Sequence, residues 1–209
     1  MEIESLENRW MKRFSCTNKT ETIIRNGLKQ LTARYSEKHR HYHTLQHVDA
    51  CMKHLDEIAD HIVDLKAVEI ALWFHDIIYD PKRNDNEKRS AEYAETFLAS
   101  VDLPSEEISK ITHLILLTKH PSHPATNDEK YLIDIDLAII GANEQRYDQY
   151  ESSIRKEYGF VPSLLYKKER RKLLMSFAKS DRIYLTEYFY EKYENQARLN
   201  IDRAMKNLR

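Results

Sequence analysis

Apolar residues recur at helical spacing along most of this chain. Residues 5–16 and 20–35 read as mixed, amphipathic helices, and residues 44–60 as a helix behind a polar, histidine-rich stretch. Residues 66–79 are strongly apolar and end at Asp80-Pro81, a turn signal. Asn84 to Asn86 predict a cap for a helix over 87–100, with Glu87 three residues after Asn84 as in a capping box. Pro104 opens a helix over 105–119, and Pro121 and Pro124 enforce a loop. Residues 128–140 are again apolar and close at Gly141, and helices over 143–158, 163–179 and 182–208 complete the pattern. Strand-like alternation is confined to Tyr131–Ile135. The expectation is a single all-α domain.

Composition sharpens this picture. Three glycines and five prolines in 209 residues fall far below ordinary usage, which argues against turn-rich β folds and glycine-rich phosphate loops. Neither a G-x-G-x-x-G nor a G-x-x-x-x-G-K pattern occurs. Lys and Arg number 33 against 34 Asp and Glu, a balance that argues against nucleic acid as the main partner. Cys16 and Cys51 form no C-x-x-C pair and fit a reducing compartment. With no apolar leader and no run long enough for a membrane span, the expected location is cytoplasmic, without a membrane partner.

The chemistry is expected where charge interrupts apolar sequence. Val68–Tyr79 is apolar almost all round, as in a buried helix, yet carries His75 and Asp76. A buried carboxylate is costly unless paired or bound to a cation, and near a helix C-terminus the dipole opposes it. Leu132–Ile140 repeats the anomaly with Asp134 and Asp136. Positions i and i+2 of a helix face roughly opposite sides, so one of the two would bind and the other cap or form an ion pair; Asp136 is favoured as the ligand, with Asp134 supporting a metal ligand. His39-Arg40-His41-Tyr42-His43-Thr44-Leu45-Gln46-His47 adds nitrogen donors, and His43 and His47 share a face if helical. Two histidines with two aspartates, and no thiolate, would suit Mn²⁺, Fe²⁺, Co²⁺, Ni²⁺, Zn²⁺ or Mg²⁺. Each feature alone has a plainer reading. His75-Asp76 serves equally as a structural pair, His43 as a helix cap, and Glu87 as a cap residue.

Taken together, His47, His75-Asp76 and Asp136 resemble the H…HD…D signature of the HD superfamily of metal-dependent phosphohydrolases. Arg40–Thr44, Trp73–Asp76 with Tyr79-Asp80, Asp85-Asn86-Glu87 with Ser90-Ala91, and Leu132–Leu137 are similar to one uncharacterised branch of it. The likeness continues through Ile154-Arg155, Glu157-Tyr158, Glu194, Ala197-Arg198 and Asn200, from about residue 34 to 203. A second adjacent histidine pair is missing, which departs from the two-metal branch, although His120 and His123 remain candidates for a second ion.

The resemblance implies one HD-type helical domain over 1–209, with a metal-site core at about 34–141 and C-terminal helices at about 143–208. It implies one divalent cation held by His47, His75, Asp76 and Asp136. Such a cation polarises a phosphoryl oxygen and lowers the pKa of water. The implied activity is hydrolysis of a phosphate ester or anhydride of a nucleotide or other small molecule. Asp76 would ligate and orient water, and Glu87 would serve as general acid or base. Arg40 is the first candidate to hold phosphate, with Lys119, Arg155 and Arg170 behind it; for those three a solvated helix face is the plainer reading. The alternative is a non-catalytic nucleotide- or metal-binding regulatory module on the same scaffold. The aromatics of Tyr184–Tyr190 are a candidate homodimer interface, against the plainer reading that they pack into the core.

Overall fold

The computed structural model describes residues 3–14, 21–119 and 122–208. Among these residues the chain is all-helical: α1 (Ile3–Phe14), α2 (Glu21–Tyr35), α3 (Leu45–Glu57), α4 (Leu65–Phe74), α5 (Asn86–Ser100), α6 (Ser105–Leu117), α7 (Asn127–Leu137), α8 (Glu144–Glu157), α9 (Ser163–Lys179) and α10 (Glu187–Asn207). Short 3₁₀ turns follow α3 and α7. His120, a candidate for a second ion, lies outside the described residues. The chain divides into two compact units, Met1–Leu132 and Ile133–Arg209, with the division falling inside α7.

In the first unit α4 is the central element. Every residue from Ala67 to Phe74 is buried. Asp64 caps its start by accepting from the Ala67 N–H, and Asp128 accepts from the Val63 and Asp64 N–H groups at 2.9 Å each. Glu69 is the one charge buried on this helix, and Arg9 and Arg13 of α1 neutralise it. Trp10 seals the same junction, edge-on to Trp73 at 5.4 Å, with its indole N–H donating to the Ile24 carbonyl. The core is thus apolar side chains around one helix, whose own buried carboxylate is matched by two guanidiniums.

Two helices are shorter than their apolar pattern predicts. The pattern carries the fourth helix to Tyr79, but α4 stops at Phe74. Side chains from outside the segment capture its main chain: Arg40 takes the Asp76 and Ile77 carbonyls, Ser90 takes Ile78 and Asn86 takes Asp80. The pattern also begins the last helix at 182, but α10 begins at Glu187. Here, within the second unit, Glu194 accepts from the Ile183 and Tyr184 N–H groups and Asp134 from those of Leu185 and Thr186. Four consecutive donors ahead of a helix are thereby satisfied by carboxylates, which the helix dipole also favours.

Asp134 is engaged at the start of α10. Fully buried, it accepts from Leu185 N at 2.8 Å, Thr186 N at 2.7 Å and Thr186 Oγ1 at 2.6 Å, fastening the start of α10. Tyr184 and Phe189 are fully buried and Tyr184 donates to the Leu137 carbonyl, so this part of the aromatic run packs inside the unit.

Burial outweighs these hydrogen bonds and raises the Asp134 carboxyl to about 6. A carboxyl whose folded pKa lies above its unfolded value stabilises most at low pH and loses that contribution as pH rises through the folded value. Relative to non-titrating Asp134→Asn, the wild type should therefore lose about 2–3 kcal/mol between pH 4 and pH 7. Urea unfolding of both proteins across that range measures the difference; parallel stability curves would contradict it.

Candidate metal centre

Thr44 starts α3 by accepting from the Gln46 N–H, which places His47 in the first turn on the buried face, with Val48, Cys51, Met52 and Leu55. His75 closes α4, its backbone N–H bonded to the Ala71 carbonyl, and Asp76 follows in the turn. His47 and His75 are buried; the Asp76 and His43 side chains keep partial exposure.

Three ligand atoms converge. His47 Nε2 lies 3.0 Å from His75 Nε2, His75 Nε2 lies 3.0 Å from Asp76 Oδ2, and His47 Nε2 lies 3.7 Å from that oxygen. A point about 2.1 Å from all three atoms exists just off their plane, which is the bond length divalent metals make to imidazole and carboxylate. The orientation of His75 adds a chemical argument. Its Nδ1 lies 2.9 Å from the Leu72 carbonyl and must donate an N–H there. In the neutral ring Nε2 then carries only a lone pair, 3.0 Å from both Asp76 Oδ2 and His47 Nε2. A proton on His47 or a cation meets that lone pair. A metal-ligating histidine usually anchors its other nitrogen in this way, so the donors fit a metal ion. The expectation had Asp134 as such an acceptor; for His75 a backbone carbonyl fills the role.

Cys51 was missed. It lies one turn after His47, buried, with its sulfur 3.8 Å from both ring nitrogens of His47. One ligand atom each of His47, Cys51 and His75 falls within a 4.8 Å group that could hold a metal ion. The thiol-free donor set read from the sequence is therefore incomplete. The available signal was the i, i+4 spacing from His47 on an apolar face. Asp136, the remaining expected ligand, occupies the last turn of α7 and is partly exposed.

Arg40 does not sit as expected of a phosphate ligand. Its side chain is 0% exposed. Nη1 donates to the Asp76 carbonyl at 2.7 Å and the His43 carbonyl at 3.0 Å, Nη2 to the Ile77 carbonyl at 2.9 Å, and Nε to Glu37 at 3.2 Å. It ties the backbone of His43 to that of Asp76. Neighbouring groups do the same work. Tyr35 donates to the Trp73 carbonyl, His39 bonds the Tyr79 carbonyl at 2.8 Å, and Asn86 pairs with both backbone groups of Asp80. Burial raises the Tyr35 phenol well above its ordinary value, helped by the Asp76 charge, so it stays a donor.

The remaining candidates make contacts of their own. His43 stacks on Tyr79 at 4.1 Å, with Nε2 4.0 Å from Asp76 Oδ2. The expected capping box at Glu87 does not form: Asp85 is the cap position, its carboxylate is drawn to Arg83, and Glu87 lies partly exposed in the first turn of α5. Exposed Lys119 donates to the Asn84 carbonyl. In the second unit, Arg170 is buried in a two-point pair with Glu151, and Arg155 donates to the Tyr158 and Val161 carbonyls. Comparison with protein-family models, with curated proteins and with solved structures returned no match.

Arg40→Met should leave three carbonyls unsatisfied and cost about 3–5 kcal/mol, a fall in Tm of roughly 8–15 °C. Co²⁺ affinity, followed by its visible absorption, should fall with it, because Asp76 loses its anchor. Unchanged Tm and Co²⁺ affinity would return Arg40 to the role of a ligand-binding cation.

Proposed function

We propose that the protein is a metal-dependent phosphohydrolase in which His47, His75 and Asp76 hold one divalent cation. The observation that carries this reading is the convergence of His47 Nε2, His75 Nε2 and Asp76 Oδ2, with His75 Nδ1 committed to the Leu72 carbonyl. The HD resemblance adds Asp136 as a fourth donor and supplies the reaction class: hydrolysis of a phosphate ester or anhydride on a nucleotide or other small molecule. A divalent cation at these donors would lower the pKa of water and draw charge from a phosphoryl oxygen.

The chain's own residues have distinct tasks in this reading. Asp76, with Oδ2 3.0 Å from His75 Nε2 and 3.7 Å from His47 Nε2, would orient the water molecule. His43, at the more open side of the cluster, holds or passes a proton at Nε2. Glu87 is the other acid–base candidate, and Lys119 is an exposed cation for the substrate phosphate. Arg40 keeps His43 and Asp76 in register through their carbonyls.

A second reading, a metal-holding module without turnover, draws on two observations. Cys51 places a soft, buried donor beside His47, as in closed structural sites. Arg40, the first phosphate candidate, is engaged elsewhere.

Phosphate release from a nucleotide panel with Mn²⁺, Co²⁺ or Mg²⁺ tests the hydrolase. Wild type should be active, and His75→Ala and Asp76→Asn should fall at least about 100-fold with helical content intact. Equal release by all three proteins would mark a contaminant and sink the assignment. Co²⁺ binding by wild type alone, with no release from any substrate, would favour the module.

A further inference from the structure

Residues 152–173, from late α8 into α9, carry seven Lys and Arg against Glu157 and Glu169, in a chain whose formal net charge is −1. Glu157 is buried, so Glu169 is the one acid this segment shows to solvent. Earlier on α8, Asp148 is paired with Arg203 and Glu151 with Arg170. The other arginines of the segment are also committed, Arg155 to the Tyr158 and Val161 carbonyls and Arg171 to the Met205 carbonyl. The lysines are not. Lys156, Lys167, Lys168 and Lys172 make no side-chain hydrogen bond or ion pair among the described residues, and all but half-buried Lys167 are exposed.

The same segment leaves apolar side chains in water. Leu164 is 83% exposed and Phe160 50%, and Leu165 and Leu173 are exposed as well. Phe160, Leu164 and Leu165 sit together at the corner between α8 and α9. A single exposed leucine is ordinary; a cluster of large apolar side chains marks a contact surface.

Helical spacing sorts the two kinds of side chain into neighbouring rows. Leu165, Glu169 and Leu173 follow one another at intervals of four, and Leu164, Lys168 and Lys172 form the row beside them. A cavity of about 400 Å³ is lined by Leu165 and Leu173 together with Ile154, Tyr158 and Val161. The charged residues in its lining are Glu169 and the paired Arg170. The face is therefore apolar in the middle and basic at its edge, with one acid among the leucines.

We propose that this face of α9, with the corner before it, docks on an anionic lipid surface. Phe160, Leu164 and Leu165 enter the boundary of the acyl chains, and the lysines meet the headgroup charge. Leucine and lysine rows side by side on one helix make the amphipathic, basic surface that binds such membranes, and each lysine near the surface adds to the attraction. Lysine stems lie along apolar surface while the ammonium reaches the headgroups. A leucine that projects as far as Leu164 suits a soft surface that closes around it. A second copy of the chain would bring the same basic residues to the contact, and like charge disfavours that pairing. No helix among the described residues is long and apolar enough to cross a membrane, so the contact is at the surface. The expectation of no membrane partner rested on the lack of a spanning run, which surface docking does not need.

Co-sedimentation of the full chain with vesicles tests this. Wild type should bind vesicles of phosphatidylcholine with about one third phosphatidylserine at least about tenfold more tightly than pure phosphatidylcholine, and high salt should release it. Lys168→Gln together with Lys172→Gln should weaken binding at least about tenfold. Leu164→Gln should weaken it about tenfold with Tm unchanged, because the side chain is exposed in the free protein. Glu169→Gln should tighten it about fivefold. His75→Ala should bind as wild type does, which separates this face from the metal cluster. Equal binding to the two kinds of vesicle would overturn the proposal, as would no binding by wild type or binding untouched by the lysine and leucine changes. Sedimentation velocity supplies a further check: a dimer that forms with rising concentration and is lost in Leu164→Gln would assign the face to a second copy instead.

Discussion

The capture of loop backbone by buried side chains underlies the rest of this structure. A helix that stops inside a core leaves carbonyls without partners, and one that starts there leaves N–H groups without partners. After α4, Arg40, Ser90, Asn86 and His39 meet main-chain groups between Asp76 and Asp80. Ahead of α10, Glu194 and Asp134 accept four N–H groups in succession. The signs agree with the helix dipole: a guanidinium at a C-terminus and carboxylates at an N-terminus. Tertiary structure overrides apolar periodicity at both places for the same reason.

The candidate centre is a consequence of that capture. Asp76 lies just past a helix C-terminus, where its carboxylate is disfavoured by the dipole and sits 3.0 Å from a histidine nitrogen. Arg40 holds the Asp76 carbonyl and places positive charge behind it. Leu72 holds the other nitrogen of His75. A backbone carbonyl thus fixes the His75 ring and Arg40 fixes the Asp76 main chain before any ligand arrives, which is the preorganisation a metal centre requires. Geometry and tautomer together make a cation the economical way to separate the two lone pairs.

The arginines show how one residue type divides between scaffold and site. Arg9 and Arg13 neutralise Glu69, Arg170 neutralises Glu151, and Arg40 bonds carbonyls. Their planar, multi-donor fork suits each of these tasks, so the chemistry that makes arginine a phosphate ligand also makes it a clamp. Sequence alone does not separate the two uses.

The all-helical class, most helix positions and the anomaly of His75-Asp76 in an apolar helix were readable along the chain, because they depend on local periodicity and on the cost of burying charge. The proximity of His47, His75 and Asp76 needed the fold, since α3 and α4 meet through packing that no local spacing encodes. Cys51 escaped because its i, i+4 spacing from His47 gains meaning only once His75 is packed against the same face. Asp134 stood out as a charge in an apolar run and Arg40 as a phosphate candidate, but their roles turned on which backbone groups stood opposite. A side chain's type follows from the sequence; its partner is decided by how helices pack, and that partner determines whether a charge serves the fold or is free for chemistry.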